Sequence, residues 1–174
     1  MIWISNQDIE EELVSLLIQN LNEVLLTEDD KLIWYFTTDG GNVACAREII
    51  DLINTHKDRI ELIASDTIAS SGFFIFFKAQ CKRRILPYTI GMCHSATSTL
   101  KIRIGNLPSS EYDIIAKSKN KQINDDLYKL AVSLEFTDKQ LKAFKRAKDI
   151  IFEYPELQIL LTRSIELNAN LVDS

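Results

Sequence analysis

Between Ile68 and His94 an apolar run is interrupted by four small residues in succession, Ala69, Ser70, Ser71 and Gly72, before Phe73 to Phe77 resume it. Small residues mark the places where a backbone turns tightly, and such a turn leaves a hydroxyl exposed at its tip. Ser70 is therefore the candidate nucleophile. A serine hydroxyl is too weakly acidic to attack an acyl carbon unaided. It needs an imidazole to take its proton and a third group to orient that imidazole.

The chain has only two histidines, so the search for a base is short. His94 closes the compact segment T-I-G-M-C-H after Pro87, whereas His56 stands in the polar N-T-H-K-D end of an expected helix and reads as solvated surface. Upstream, L-I-W-Y-F-T-T-D-G-G-N-V passes from an apolar strand through Gly40 and Gly41 into a helix. Consecutive glycines there let the backbone present amide N–H groups to an oxyanion, the second requirement of acyl transfer.

The order of strand, D-G-G, helix, strand, A-S-S-G, K-R-R-I-L-P and M-C-H resembles the proteolytic subunit of the Clp protease family. That family carries a Pro-Gly-Gly turn, a Ser-Met-Gly or Ser-Ala-Gly serine turn, a K-R-x-x-L-P segment and an M-I-H ending. Lys82, Arg83, Leu86, Pro87, Met92 and His94 fall in register with it, and the serine side is one residue shorter. The resemblance implies an α/β fold of repeated strand-helix units, a twisted sheet flanked by helices, as one domain over residues 1–174. It also implies rings enclosing a proteolytic chamber, with residues 95–135 as the oligomer-contact strand and helix.

By the same resemblance Ser70 attacks a peptide carbonyl, His94 shuttles the proton and Asp149 orients the imidazole. Asp149 follows a basic residue and precedes an apolar pair, as the family's aspartate does; a surface cap or turn is the plain alternative. The amide of Ser71 and one from the Gly40–Gly41 turn would hold the oxyanion. The expected activity is that of a serine endopeptidase on peptides or unfolded chains, without cofactor or metal. The alternative is an inactive ring subunit or scaffold, and a crotonase-like acyl-CoA enzyme is a third, weaker reading.

Some features depart from the family pattern. The chain starts at its first strand, so the family's N-terminal segment, which contacts an AAA+ ATPase, is expected to be missing, and that partnership loses its usual basis. The glycine turn carries Asp39 in place of proline, and a fixed negative charge facing an oxyanion hole would oppose the developing charge. S-A-T-S-T after His94 lacks the family's proline and glycines.

A length of 174 residues with 46% apolar and 26% charged side chains suits one soluble globular domain with a substantial core. A net charge of −5 argues against a nucleic-acid surface, and Lys82-Arg83-Arg84 reads as a solvated face or loop. Cys45, Cys81 and Cys93 have no metal spacing and are odd in number, which favours free thiols in a reducing cytoplasm. Cys93 is adjacent to His94 on an expected strand, so the two point to opposite faces and cannot share a proton. No apolar run is long enough for a transmembrane helix.

Along the chain, Ile2–Ser5 is an expected strand, followed by a helix capped by Asn6 or Asp8 with Ile9, Leu13, Leu16, Leu17, Leu21 and Val24 on its apolar face. Further strands are expected over Leu32–Thr37, Ile60–Ala64, Arg84–Leu86, Ile90–His94 and Thr99–Ile104, and helices over 43–54, 123–134 and 157 onward. Phe73–Phe77 fits either a strand or a buried helix. Thr137 and Gln140 form a capping box for a helix reaching about Lys148.

Overall fold

The computed structural model describes residues 1–28, 30–96 and 109–172. In chain order the elements are β1 (Ile2–Asn6), α1 (Glu11–Leu25), β2 (Leu32–Thr38), α2 (Val43–Thr55), β3 (Ile60–Ala69), α3 (Ser71–Lys78), β4 (Lys82–Ile85), β5 (Ile90–Cys93), α4 (Ser109–Ser133), α5 (Asp138–Lys145), β6 (Ile150–Phe152) and α6 (Tyr154–Val172). They group into two compact units, Met1–Cys93 with Ile151–Ser174, and His94–Ile150. The sheet runs β1-β2-β3-β5-β6, with β4 also on β3, and the pairs among β1 to β5 are all parallel. A mixed α/β fold with a sheet flanked by helices is what the family resemblance implied.

In the first unit Leu32, Trp34 and Phe36 of β2 and Leu62, Ile63 and Ala64 of β3 are fully buried. α1 adds Leu13, Leu17, Leu21 and Val24 at helical spacing. Its N-cap is Glu10 without a side-chain hydrogen bond, later than the expected Asn6 or Asp8. The reason is Ile9, which does not join the helix but makes a parallel bridge with Gly41. Asn42 caps α2 through Oδ1, which accepts from the amides of Ala44 and Cys45.

β3 is longer than the expected Ile60–Ala64. Its first half pairs with β4 (Glu61 to Lys82 through Ala64 to Ile85) and its last three residues pair with β5 (Thr67 to Ile90 through Ala69 to Met92). The exchange of partners occurs at an irregularity where Asp66 has φ 59 and the register against β2 shifts between Phe36 and Thr38. The Thr37 hydroxyl donates to the Ser65 carbonyl there, so the kink is hydrogen-bonded. This kink carries β3 past Ala64 and onto the edge of β5.

α3 resolves the ambiguous phenylalanine run as a helix. Phe73, Phe74, Ile75, Phe76 and Phe77 are all buried, so the segment is apolar all round and its periodicity could not reveal its conformation.

The basic run is a solvated face at Lys82 and Arg84 but not at Arg83. Alternation along β4 turns Arg83 inward to 6% exposure, while Lys82 and Arg84 point out and both pair with Glu61. Burial raises the Glu61 carboxyl, but the hydrogen bonds and charges of Lys82 and Arg84 outweigh it and hold its pKa below the ordinary 4.5. A depressed carboxylate contributes stability that is complete above 4.5 and is lost as pH falls through the lower folded value. Glu61→Gln is therefore expected to flatten the acid limb of the stability curve below that pH. Urea midpoints measured from neutral pH down to about pH 3 check this, and parallel limbs for both proteins would refute it.

In the second unit Ile123, Leu127 and Leu130 of α4, Leu134 just after it, and Phe136, Phe144 and Ile150 are buried. α4 begins at Ser109, well before the expected Ile123; Pro108 and the strand expected over Thr99–Ile104 lie outside the described residues. The capping box is made as expected: the Thr137 hydroxyl accepts from Gln140 N, and Gln140 Oε1 accepts from Thr137 N at 2.8 Å. α5 stops at Lys145, short of Lys148. Ala147 at φ 51 and the Lys148 amide bonded to the Ala143 carbonyl close the helix and turn the chain toward β6.

Candidate active site

β3 leads into Ser70 and α3 leaves from it. Ser70 has φ 54 and ψ −119, a conformation that L-residues rarely adopt, and it persists only where neighbours impose it. Its amide donates to the Met92 carbonyl of β5 at 2.8 Å, and its carbonyl accepts from Phe74 N at 3.3 Å as the first turn of α3. Strand and helix thus hold the serine from both sides. The side chain is half-buried.

The glycine turn lies directly against it. β2 ends at Thr38, and Gly40 and Gly41 follow at φ 115 and 143, values open in practice only to glycine. Ile9 pins the turn by donating to the Gly40 carbonyl (2.8 Å) and accepting from Asn42 N (2.7 Å). A Cβ on Gly40 would fall 2.6 Å from Ser70 Cβ and 3.2 Å from Ser70 Oγ. The Ser71 hydroxyl donates to the Gly41 carbonyl at 3.1 Å, tying the two turns together.

The amides of these turns differ in what they are free to do. Gly40 N–H donates to Thr38 Oγ1 at 3.0 Å, and Ser70 N–H is committed to Met92. Gly41 N–H and Ser71 N–H make no hydrogen bond among the described residues. The latter is one of the first-turn donors a helix leaves without an internal partner. Asp39 is exposed, so its charge is solvated.

Ser70, Ser71, Gly40 and Gly41 are thus brought together in the first unit. His94 and Asp149 belong to the second. His94 follows the last residue of β5, two positions past the Met92 that receives the Ser70 amide. It is half-buried, and its Nδ1 lies 2.8 Å from the Ser95 carbonyl. A carbonyl only accepts, so Nδ1 is the donor in this contact, and in the neutral ring that tautomer leaves the lone pair on Nε2. Asp149 is exposed, directly before β6, and its carboxylate has no hydrogen bond among the described residues. His56 is half-buried at the C-cap of α2.

Three supporting residues escaped sequence reasoning. Thr38 fixes which glycine amide is occupied, and Ile9 holds the turn from a distance of thirty-two positions. Asn124 of α4 clamps the chain after His94, accepting from Ala96 N at 2.7 Å and donating to Ala96 O at 3.2 Å. None carries a local signal. Cys93 and Cys81 are buried, and burial pushes both thiols up to about 12, which leaves them without nucleophilic thiolate near neutral pH. Among the described residues no group of three His, Cys, Asp or Glu is placed to hold a metal ion.

Parallel strands, a serine at a strained strand-to-helix elbow and a facing glycine turn with an unpaired amide define a mixed α/β protein of the serine-elbow class. The sequence model of the Clp protease family matches residues 1–147, and the chain belongs to that family. Among solved structures, a ClpP1 mutant from Listeria monocytogenes has the same fold, with a TM-score of 0.67 at 19% identity, covering 91% of this chain and 86% of that one. No curated protein matches the sequence. Among the described residues no helix is long and apolar enough to cross a membrane.

Proposed function

We propose that the chain is a serine endopeptidase that cuts peptides or unfolded polypeptides through an acyl-enzyme. The observation that carries this reading is the pairing of a strained, half-buried Ser70 with two unoccupied amides, Gly41 N–H and Ser71 N–H, on the two turns that meet at it. Ser70 Oγ attacks the carbonyl carbon while His94 Nε2 takes its proton. The carbonyl π electrons move onto oxygen, and the two amides receive that charge. Collapse expels the amine, which takes the proton from His94. Water then attacks the ester by the same route in reverse order, releasing the acid and restoring Ser70.

In this reading Gly40 acts by its lack of a side chain, which lets the turn reach Ser70, and Asp149 orients His94 as the family's aspartate does. Family membership also supports action on protein substrates inside a homo-oligomeric chamber, with residues 95–135 making contacts between copies. A reducing compartment and the treatment of 1–174 as one peptidase domain belong to the same proposal, which does not require an AAA+ partner.

The test is labelling of the purified chain by a fluorophosphonate, read by intact mass. One adduct per chain supports the peptidase; no adduct on a folded oligomer makes the inactive ring subunit the better reading. Asp149→Asn is expected to leave folding intact and lower turnover by about 10⁴-fold. An unchanged rate would assign the orienting role to the Ser95 carbonyl, which already holds Nδ1.

A further inference from the structure

Arg83 is buried to 6% exposure and has no carboxylate partner among the described residues; the ion pairs of its neighbours Lys82 and Arg84 both go to Glu61. Its Nη1 donates to neutral acceptors at the end of α3 and on α6: Phe76 O at 3.0 Å, Phe77 O at 3.3 Å and Ser164 Oγ at 2.8 Å. Its Nε–H is buried with no acceptor among the described residues. Burial lowers its pKa to about 10, so the guanidinium is still charged near neutral pH. An uncompensated buried cation is costly to keep, and a fold that keeps one generally pairs it with something.

A second orphan lies on α6. Asn168 Nδ2 is buried and likewise has no acceptor among the described residues. Arg83 and Asn168 line the same cleft, of about 430 Å³, together with the ammonium-bearing Lys57 and Lys82 and the apolar Ile165 and Ala169. The serine elbow precedes α3, whereas Arg83 meets the carbonyls at the helix's other end, about 12 Å away at the rise of an eight-residue helix.

We infer that this cleft binds an oxyanion, a carboxylate or a phosphate group, with Arg83 Nε–H and Asn168 Nδ2–H as donors and Lys57 supplying further positive charge. Charge-assisted hydrogen bonds from a guanidinium are the strongest of the neutral-pH repertoire, and the two vacant donors are otherwise unmatched. Ile165 and Ala169 offer the wall for the apolar remainder of an organic anion. The site is independent of the peptidase reading.

The test titrates the full chain with sodium phosphate and, separately, sodium acetate, at constant ionic strength held by sodium chloride, and follows heat of binding and melting temperature. Lys57→Ala and Asn168→Ala remove one exposed ammonium and one amide whose Nδ2 has no acceptor among the described residues, so both variants are expected to fold; Arg83 is left in place because its Nη1 bonds hold α3 to α6. The expected result is saturable one-to-one binding of at least one anion, weakened about tenfold by each substitution and lost in the double variant. Tighter phosphate identifies a phosphate-bearing ligand, and tighter acetate a carboxylate. Absence of saturable binding for both anions, or equal binding by the double variant, overturns the inference.

Discussion

Ser70→Ala is expected to abolish peptide hydrolysis, lowering turnover by on the order of 10⁶-fold, while the protein folds and assembles as before. The substitution removes one oxygen and no hydrogen bond of the scaffold: the Ser70 amide and carbonyl, which tie the elbow to Met92 and Phe74, are backbone groups. Alanine meets the same steric cost at φ 54 as serine, so strain is unchanged. Peptide turnover together with the fluorophosphonate adduct decides the matter. Loss of both in a folded variant assigns the nucleophile to Ser70, and an adduct retained by the variant would place it elsewhere. A companion Ser70→Gly variant is expected to be more stable than the parent by about 1 kcal/mol, because glycine reaches positive φ without the Cβ clash.

The second large effect is expected at Gly41. Gly41→Ala puts a Cβ 2.5 Å from Ile9 O and 2.7 Å from Ile9 N, and both are backbone atoms that cannot swing aside as a side-chain tip could. A φ of 143 adds its own strain. Relief requires breaking the Ile9 bridge, with its hydrogen bonds to Gly40 O and Asn42 N. Counting about 1–2 kcal/mol for the backbone conformation and about 0.5–1.5 kcal/mol for each hydrogen bond, the variant is expected to lose about 2–5 kcal/mol. Because the same shift displaces the Gly41 amide, residual folded protein is expected to lose most turnover as well. Urea unfolding and peptide turnover measured on one preparation test both halves. A variant with the parent's midpoint would show that the turn is not pinned by Ile9. Gly40→Ala makes a useful comparison, since its Cβ meets Ser70 Cβ at 2.6 Å and so presses on the elbow itself.

How much of this was legible from residues follows from the range over which each interaction acts. The block Ala69–Gly72 announced a tight turn because small side chains are a local requirement of such backbone. The strand-to-helix elbow stands there, and the Thr137–Gln140 capping box likewise needed only four residues to be read. The helical spacing of Leu127, Leu130 and Leu134 marks the buried side of α4. The phenylalanine run stayed ambiguous because a segment buried all round carries no period.

Other features depend on partners far along the chain. Arg83 sits in a charge run that reads as solvated, yet it bonds to Ser164, eighty-one positions away, because pairing of β4 with β3 sets which side of the strand faces inward. Ile9 has helical spacing with Leu13 and Leu17, but a bridge to Gly41 takes it out of the helix. The kink in β3 at Asp66, which passes the strand from β4 to β5 and so sets the Ser70 amide against Met92, has no local signal beyond an ordinary Ser-Asp-Thr. By itself the sequence determined most of the strands and helices of the first unit, the positions of both tight turns and the Thr137 capping box, all of which follow from steric and hydrogen-bonding rules within a few residues. Only the tertiary structure decided which amides are left unpaired, which strand edge receives the serine elbow and which cation is buried, because each depends on register and packing between segments that meet only after folding.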